Sequence, residues 1–273
     1  MNPVVARSEW VEWIADGEIG YAFNDNMTNG MFDSAKEEEQ IFEPSISAGR
    51  IYQMTDFTRL ALTADVKYQY HKTFSRLDNI AFGSTLGVEH KFGIGPFIPW
   101  IRTDLSAARI ESRSRFRDGA KYVVGLRVGK RLHERVDLQA GYVFDTRKSD
   151  RSRVFDLEGH RGIVKASFLM TKWTLFSIGY GLRDGNTVSN CRQEIIDSGV
   201  LSGIIEGTPV LDDALPGCAY KTTSTTQDLA ADLSYAFFSG HASFNLGYVY
   251  KRSTASKFTY KNNIYRSSLN YSF

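Results

Sequence analysis

Ionisable side chains in this chain recur two residues apart within short alternating segments, the spacing that lines one face of an extended strand. Asp65 and Lys67, Glu89 and Lys91, and Arg102 and Asp104 form such pairs. Arg127, Asp137, Asp145, Arg161, Lys165, Arg183 and Asp232 continue the pattern on the faces opposite the apolar and aromatic residues of their segments. Gathered inside a closed sheet, such residues would line a wet interior. Two uses follow: the charges pair and satisfy one another, or they form a constriction that sorts permeating ions. Lys67, Glu89, Arg102, Asp104, Arg127, Asp145, Arg161 and Lys165 are the candidate lumen-lining residues. Lys67 is expected to meet Glu89, and Arg102, Asp104 and Arg127 are expected to lie close together.

A second basic set falls between the alternating segments. The stretches ARIESRSRFRDG and TRKSDRSR supply Arg109, Arg113, Arg115, Arg117, Arg147, Lys148, Arg151 and Arg153. Guanidinium forks bind phosphate and carboxylate in bidentate fashion. Arg113, Arg115, Arg117, Arg151 and Arg153 are therefore candidates for anion binding on outer loops. The partner is lipopolysaccharide phosphate or an acidic solute entering a pore, unless the loops are simply solvated. Nucleic acid is not expected, because few aromatics are interleaved for base stacking.

Catalysis and metal binding find little support. Of the five histidines, His90, His133 and His241 are expected on the periplasmic side, and His71 and His160, near the outer side, have no nucleophile motif beside them. An acidic stretch holds Asp33, Glu37, Glu38, Glu39 and Glu43, without the regular oxygen-ligand spacing of a calcium loop. No enzyme activity, metal or cofactor is expected. Cys191 and Cys218 sit in one polar segment with no histidine nearby, so a disulfide is favoured over zinc. Closing a loop of that length stabilises by roughly 3–4 kcal/mol.

The elements that carry these residues are strands. Among 273 residues, 13% are aromatic and glycines number 23, a composition suited to pleated sheet. Uncharged apolar runs fall far short of the roughly 20 residues a membrane helix needs, but strands that alternate lipid-facing and lumen-facing residues escape that test. Twelve alternating segments are found. They run from Trp13–Asn24 through one around Phe42–Tyr52, weakened by Arg50 on its apolar face, and a fifth over Phe97–Ala108. The last is Tyr265–Phe273. Short connections near Met54–Phe57, Gly93–Gly95, His133–Arg135, Thr171–Lys172 and Ser239–Gly240 alternate with longer ones. The longer ones are Asp25–Ile41, Lys72–Leu77, Arg109–Arg117, Arg147–Val154, Asp184–Thr225 and Arg252–Thr259.

The expected fold is all-β: a single transmembrane antiparallel up-and-down barrel over residues 1–273, with short periplasmic turns and long extracellular loops. A soluble β-sandwich also alternates, but it needs neither this loop pattern nor two aromatic rims. Tyr68, Tyr70, Tyr142, Tyr248 and Tyr250 fall at one predicted rim, and Tyr235, Phe237, Tyr271 and Phe273 at the other, as lipid–water interfaces favour. The longest loop, residues 185–225, contains Ile195, Ile196, Val200, Leu201, Ile204 and Ile205. It is expected to fold back as a lid or to bind a partner. The opening MNPVVARSEW lacks a basic segment followed by an apolar stretch, so the sequence is expected to be a mature or trimmed form.

The ending, Tyr265-x-Ser267-x-Leu269-x-Tyr271-x-Phe273, resembles the C-terminal signal of the bacterial outer-membrane β-barrel (porin-like) superfamily. That resemblance implies outer-membrane location and recognition of the last strand by the barrel-assembly machinery. The segment Gly20–Asn26 also resembles the first hairpin of porin-like barrels attached to envelope assemblies. The expected function is a channel passively passing small polar solutes, anionic ones among them. The alternative is a structural or docking barrel of a secretion, export or surface-assembly complex, with a periplasmic or envelope partner.

Overall fold

The computed structural model describes residues 9–30, 35–191, 205–255 and 258–273. Strands β1 (Glu9–Asn24), β2 (Glu39–Thr55), β3 (Thr58–His71), β4 (Asn79–Lys91), β5 (Trp100–Ser112) and β6 (Gly119–His133) are followed by β7 (Val136–Ser149), β8 (Leu157–Leu169) and β9 (Thr174–Cys191). The chain ends with β10 (Glu206–Leu211), β11 (Cys218–Phe237), β12 (Ala242–Ala255) and β13 (Phe258–Ser272). Every pairing is antiparallel. β1 pairs with β13 from Asp16↔Ser272 to Asn24↔Ile264, and β9 pairs directly with β11. Twelve strands thus close into a barrel, as the alternation predicts, and closure removes the sheet's free edges. The thirteenth, β10, is an unexpected addition, paired among the described residues with the start of β11.

The predicted outward residues form the exterior. Ile19, Leu62, Phe82, Leu105, Leu126, Val164, Ile178, Leu233, Leu246 and Leu269 are all exposed around the wall. This apolar belt has no sheet packed over it, which excludes a sandwich and fits a hydrocarbon surround. Tyr70 and Tyr142 are exposed toward one rim, and Tyr235, Tyr271 and Phe273 toward the other. Arg50, the residue that weakens the pattern of β2, lies on this outer face with its guanidinium carbon 5.0 Å from the Trp10 ring and 4.4 Å from the Trp13 ring. Cation–π contact with two rings accommodates its charge there.

Three boundaries depart from expectation. β5 begins at Trp100 rather than Phe97, because Pro96 and Pro99 offer no amide and Gly93 and Gly95 adopt φ of 154° and 122°. The resulting turn, residues 92–99, is longer than the outer loop of residues 113–118, so short and long connections do not alternate strictly. Most of the expected loop Arg252–Thr259 is strand, since β12 runs to Ala255 and β13 starts at Phe258. Likewise β9 and β11 extend well into the predicted loop 185–225. The apolar residues 195–204 of that loop, and Asp33, lie outside the described residues.

Three outer connections share one design. Short 3-10 turns at Ser75–Leu77, Arg115–Arg117 and Arg153–Phe155 are each followed by an aspartate, Asp78, Asp118 or Asp156. Each carboxylate accepts the backbone N–H at the end of the preceding strand, from His71, Ser112 and Ser149 respectively, all at 2.7 Å. The Arg113 amide donates to the Asp78 carbonyl at 2.9 Å, and the Asp150 amide to the Asp118 carbonyl at 3.0 Å. The sheet's bonding therefore continues past the strand ends as a collar.

Candidate functional site

Among the described residues, the largest fully buried side chains are at the collared end, the outer end in the sidedness assigned above, and not in the barrel wall. Beyond Gly185↔Ser224, β9 and β11 continue as a paired ribbon to Cys191↔Cys218, with β10 added to its edge. Leu215 and Ala214, just after β10, bury against Leu77, Phe74 and Met27. Ala219 packs on Val154 and Phe155 with Val188 and Val210. The ribbon rises from β9 and β11, while Leu77 lies in the connection from β3 to β4, half-way round a twelve-strand barrel. This segment is a lid spanning the mouth.

Polar contacts fix the lid to the collar. Arg117 Nη2 lies 2.6 Å from Asp212 Oδ2, and Arg76 Nη1 lies 3.1 Å from Asp213 Oδ2. Ser114 also donates to Asp213. The Asp212 carboxylate further accepts from Asn190 Nδ2 at 2.7 Å and from the Ala214 amide at 2.9 Å. On the other side, Asn29 Nδ2 donates to the Val188 carbonyl, and the Asn190 amide to the Thr28 carbonyl, both at 2.9 Å.

Beneath the lid lies a chamber of about 360 Å³ lined by Arg117, Arg147, Arg161, Arg183, Lys251 and Asp228, among others. Arg161 Nη2 is 2.6 Å from Asp228 Oδ2, and Arg183 Nη2 is 3.2 Å from Asp145 Oδ2. Two glycines make room for these guanidinium groups. A Cβ on Gly159 would sit 2.2 Å from Arg183 Nη2, and one on Gly181 would sit 3.0 Å from Arg161 Nε. Arg117 stacks on Phe155, its guanidinium carbon 4.4 Å from the ring centre. Arg147 donates to the Arg117 carbonyl, drawing a loop-proximal arginine inward.

Lower in the lumen the charges pair off. Arg102 Nε is 2.8 Å from Asp104 Oδ1 and Arg127 Nη2 is 2.5 Å from Asp104 Oδ2, so the expected trio is present. Lys67, however, meets Glu43 at 3.2 Å, while Glu89 meets Arg59 at 2.9 Å. The expected Lys67–Glu89 pair does not form, because the register sets Arg59 opposite Glu89 and Lys67 opposite Ala81. Lys165 lines a lower chamber of about 440 Å³ with Glu18, Glu43, Asp232 and Arg266.

No protein-family model and no curated protein matches the chain. Solved structures do. An outer-membrane channel from Pseudomonas putida F1 superimposes with a TM-score of 0.61 at 13% identity, over 100% of this chain and 99% of that one. The porin NanC superimposes with a TM-score of 0.51 at 10% identity, over 94% and 98% of the two chains. The fold is that of outer-membrane channels. The likeness concerns the path of the backbone, and the lumen chemistry of this outer-membrane-type barrel is argued from its own residues.

The five loop arginines separate into two groups. Arg117 turns inward to the lid, and Arg113 is ion-paired with the buried Asp78 at 3.2 Å. Arg115, Arg151 and Arg153 remain exposed. Of the histidines, His71 is buried with Nδ1 3.7 Å from Asp78 Oδ1. His160 contacts the Tyr142 hydroxyl on the exterior, and His90 contacts Thr58 Oγ1 at 2.9 Å. Within the acidic first loop, Glu39 is buried and accepts the amides of Thr73 at 3.0 Å and Phe74 at 2.8 Å, a structural use. Arg147, Arg183, Lys251 and Asp228 belong to the chamber but were not among the sequence candidates. Alternation places Arg183 on the inner face, and only the pairing register brings Lys251 and Asp228 to its height.

Proposed function

We propose that the protein is a passive channel of the bacterial outer membrane that admits small polar, anionic solutes and catalyses no reaction. The observation carrying this reading is a charged lumen, capped by a cationic chamber, inside a closed wall whose exterior is apolar. Electrostatic attraction of anions into such a chamber is strong, because low-dielectric walls focus the field. Planar-bilayer recording of the purified protein is expected to give discrete conductance steps. Folded, inserted protein that never conducts would remove the channel. Reversing charge at Arg127 and Arg161 together shifts ion preference toward cations, and an unchanged reversal potential would refute anion selection.

The exposed Arg115, Arg151 and Arg153 suit lipopolysaccharide phosphates, and the closing strand β13 suits delivery by the barrel-assembly machinery. We also propose a disulfide between Cys191 and Cys218. Directly opposed residues of an antiparallel pair have Cα atoms about 4.5–5.5 Å apart, within the range a disulfide spans.

One observation favours the second reading, a docking barrel in an envelope complex: the lid crosses the mouth and is fixed at both sides. Affinity purification from native membranes separates the two. A stoichiometric partner points to the docking barrel, and recovery of this chain alone points to the channel.

A further inference from the structure

Five of the eight buried polar side-chain atoms that lack a hydrogen-bond partner among the described residues belong to the chamber beneath the lid: Arg117 Nε, Arg147 Nε, Arg161 Nε, Asp228 Oδ1 and Tyr260 Oη. Unpaired buried polar atoms are uncommon, and a cluster of them on one cavity marks a place built for something polar. Charge narrows what that is. Arg117, Arg161 and Arg183 each have a carboxylate, from Asp212, Asp228 and Asp145. Arg147 and Lys251 form no ion pair among the described residues. Asp118, whose charge Arg147 also senses, turns its carboxylate to the Ser112 amide. Lys251 feels the Asp228 carboxylate that Arg161 already holds, so among the described residues the five cations of the chamber face three carboxylates, an excess of two positive charges in a confined space. Water can satisfy their hydrogen bonds but brings no negative charge, and uncompensated buried charge is costly.

We infer that this chamber is a binding site for a small multivalent oxyanion, bearing phosphate or carboxylate groups, held by Arg147 and Lys251 with help from Arg161 and Tyr260. The inference deepens the channel reading by naming the class of anion and its station below the lid. It does not require conduction to be tested. The guanidinium of Arg147 supplies a planar fork suited to either oxyanion, and the ammonium of Lys251 supplies a point charge from β12, four strands round the wall. Tyr260 supplies a hydroxyl that either donates or accepts.

Isothermal titration of detergent-purified, heat-modifiable protein with pyrophosphate, and separately with citrate, tests the site. Binding of either is expected, and the preferred one identifies the headgroup. Arg147→Gln and Lys251→Gln should each weaken it about ten- to hundredfold, the scale of one charge-assisted hydrogen bond. Asp228→Asn removes a competing carboxylate and frees the Arg161 fork, so it should tighten binding about tenfold. A gain cannot arise from misfolding. Lys172→Gln, at the far turn, should change nothing. Absence of heat with both anions, or equal affinity in all variants, overturns the site. A protein that conducts but does not bind loses the site and keeps the channel. One that binds without conducting keeps the site and loses the channel.

Discussion

Asp212 is the residue whose loss should open the lid. Its side chain is 1% exposed and gathers three donors: Arg117 Nη2 at 2.6 Å, Asn190 Nδ2 at 2.7 Å and the Ala214 amide at 2.9 Å. Arg117 is itself only 16% exposed, so Asp212→Ala strands a largely buried guanidinium. Removing one partner of a buried ion pair costs about 3–5 kcal/mol. The lower end is appropriate at a wet mouth, and the two further hydrogen bonds are not added because they act as one unit. About 3 kcal/mol corresponds to a roughly hundredfold shift toward the open lid. The barrel wall makes no contact through Asp212, so global stability should change little. Hydrogen exchange is the direct assay: amides of residues 206–211 and 218–222 should exchange roughly a hundredfold faster, while mid-barrel amides of β6 stay protected. Single-channel conductance should rise in parallel. Unchanged exchange in those segments would refute the claim that this carboxylate fixes the lid.

Further outcomes follow from the wall and the ribbon. With intact protein under non-reducing conditions, Cys191 and Cys218 should resist alkylation, and Cys218→Ser should lower stability by roughly 3–4 kcal/mol; free labelling of the native protein rules the bridge out. Leu126→Lys, on the exposed face midway along β6, should cost about 2–4 kcal/mol in urea titrations of protein folded into vesicles, and a neutral result contradicts a hydrocarbon surround. The Phe273 amide closes the sheet by donating to the Ala15 carbonyl at 2.9 Å, so deleting Phe273 should reduce the assembled, heat-modifiable fraction.

Almost all of the wall was legible in the sequence because each strand separates two solvents, hydrocarbon and water, and side chains alternate accordingly. Leu62 and Thr63, or Leu126 and Arg127, announce that boundary without any tertiary information. What alternation cannot carry is register. Alternation matches Lys67 to Glu89 because both face inward on neighbouring strands, but Lys67 pairs with Glu43 on the strand at its other side. The lid was anticipated as a use for residues 185–225, though not as sheet. Thr187, Ser189, Thr222 and Ser224 look like loop residues by composition. They form a ribbon because β9 and β11 keep supplying each other's backbone partners after the membrane ends.

The collar shows that a further signal was present and unread. Ser75-Arg76-Leu77-Asp78, Arg115-Phe116-Arg117-Asp118 and Arg153-Val154-Phe155-Asp156 are spaced copies of one device, each ending in the aspartate that caps the preceding strand. A search for repeats at the loops, rather than along the strands, finds them. The device also accounts for how basic loops come to serve the lumen. Once the aspartate fixes each turn, the side chains within it are aimed in set directions. Leu77 and Phe155 point to the lid and become its seat, while Arg117 is carried beneath it and Arg151 and Arg153 stay outside. Identical residue types in one sequence run thus acquire different roles through a single carboxylate. The cationic chamber therefore takes one arginine, Arg117, from the collar and Arg147, Arg161, Arg183 and Lys251 from the strands, a combination that counting loop arginines cannot assign.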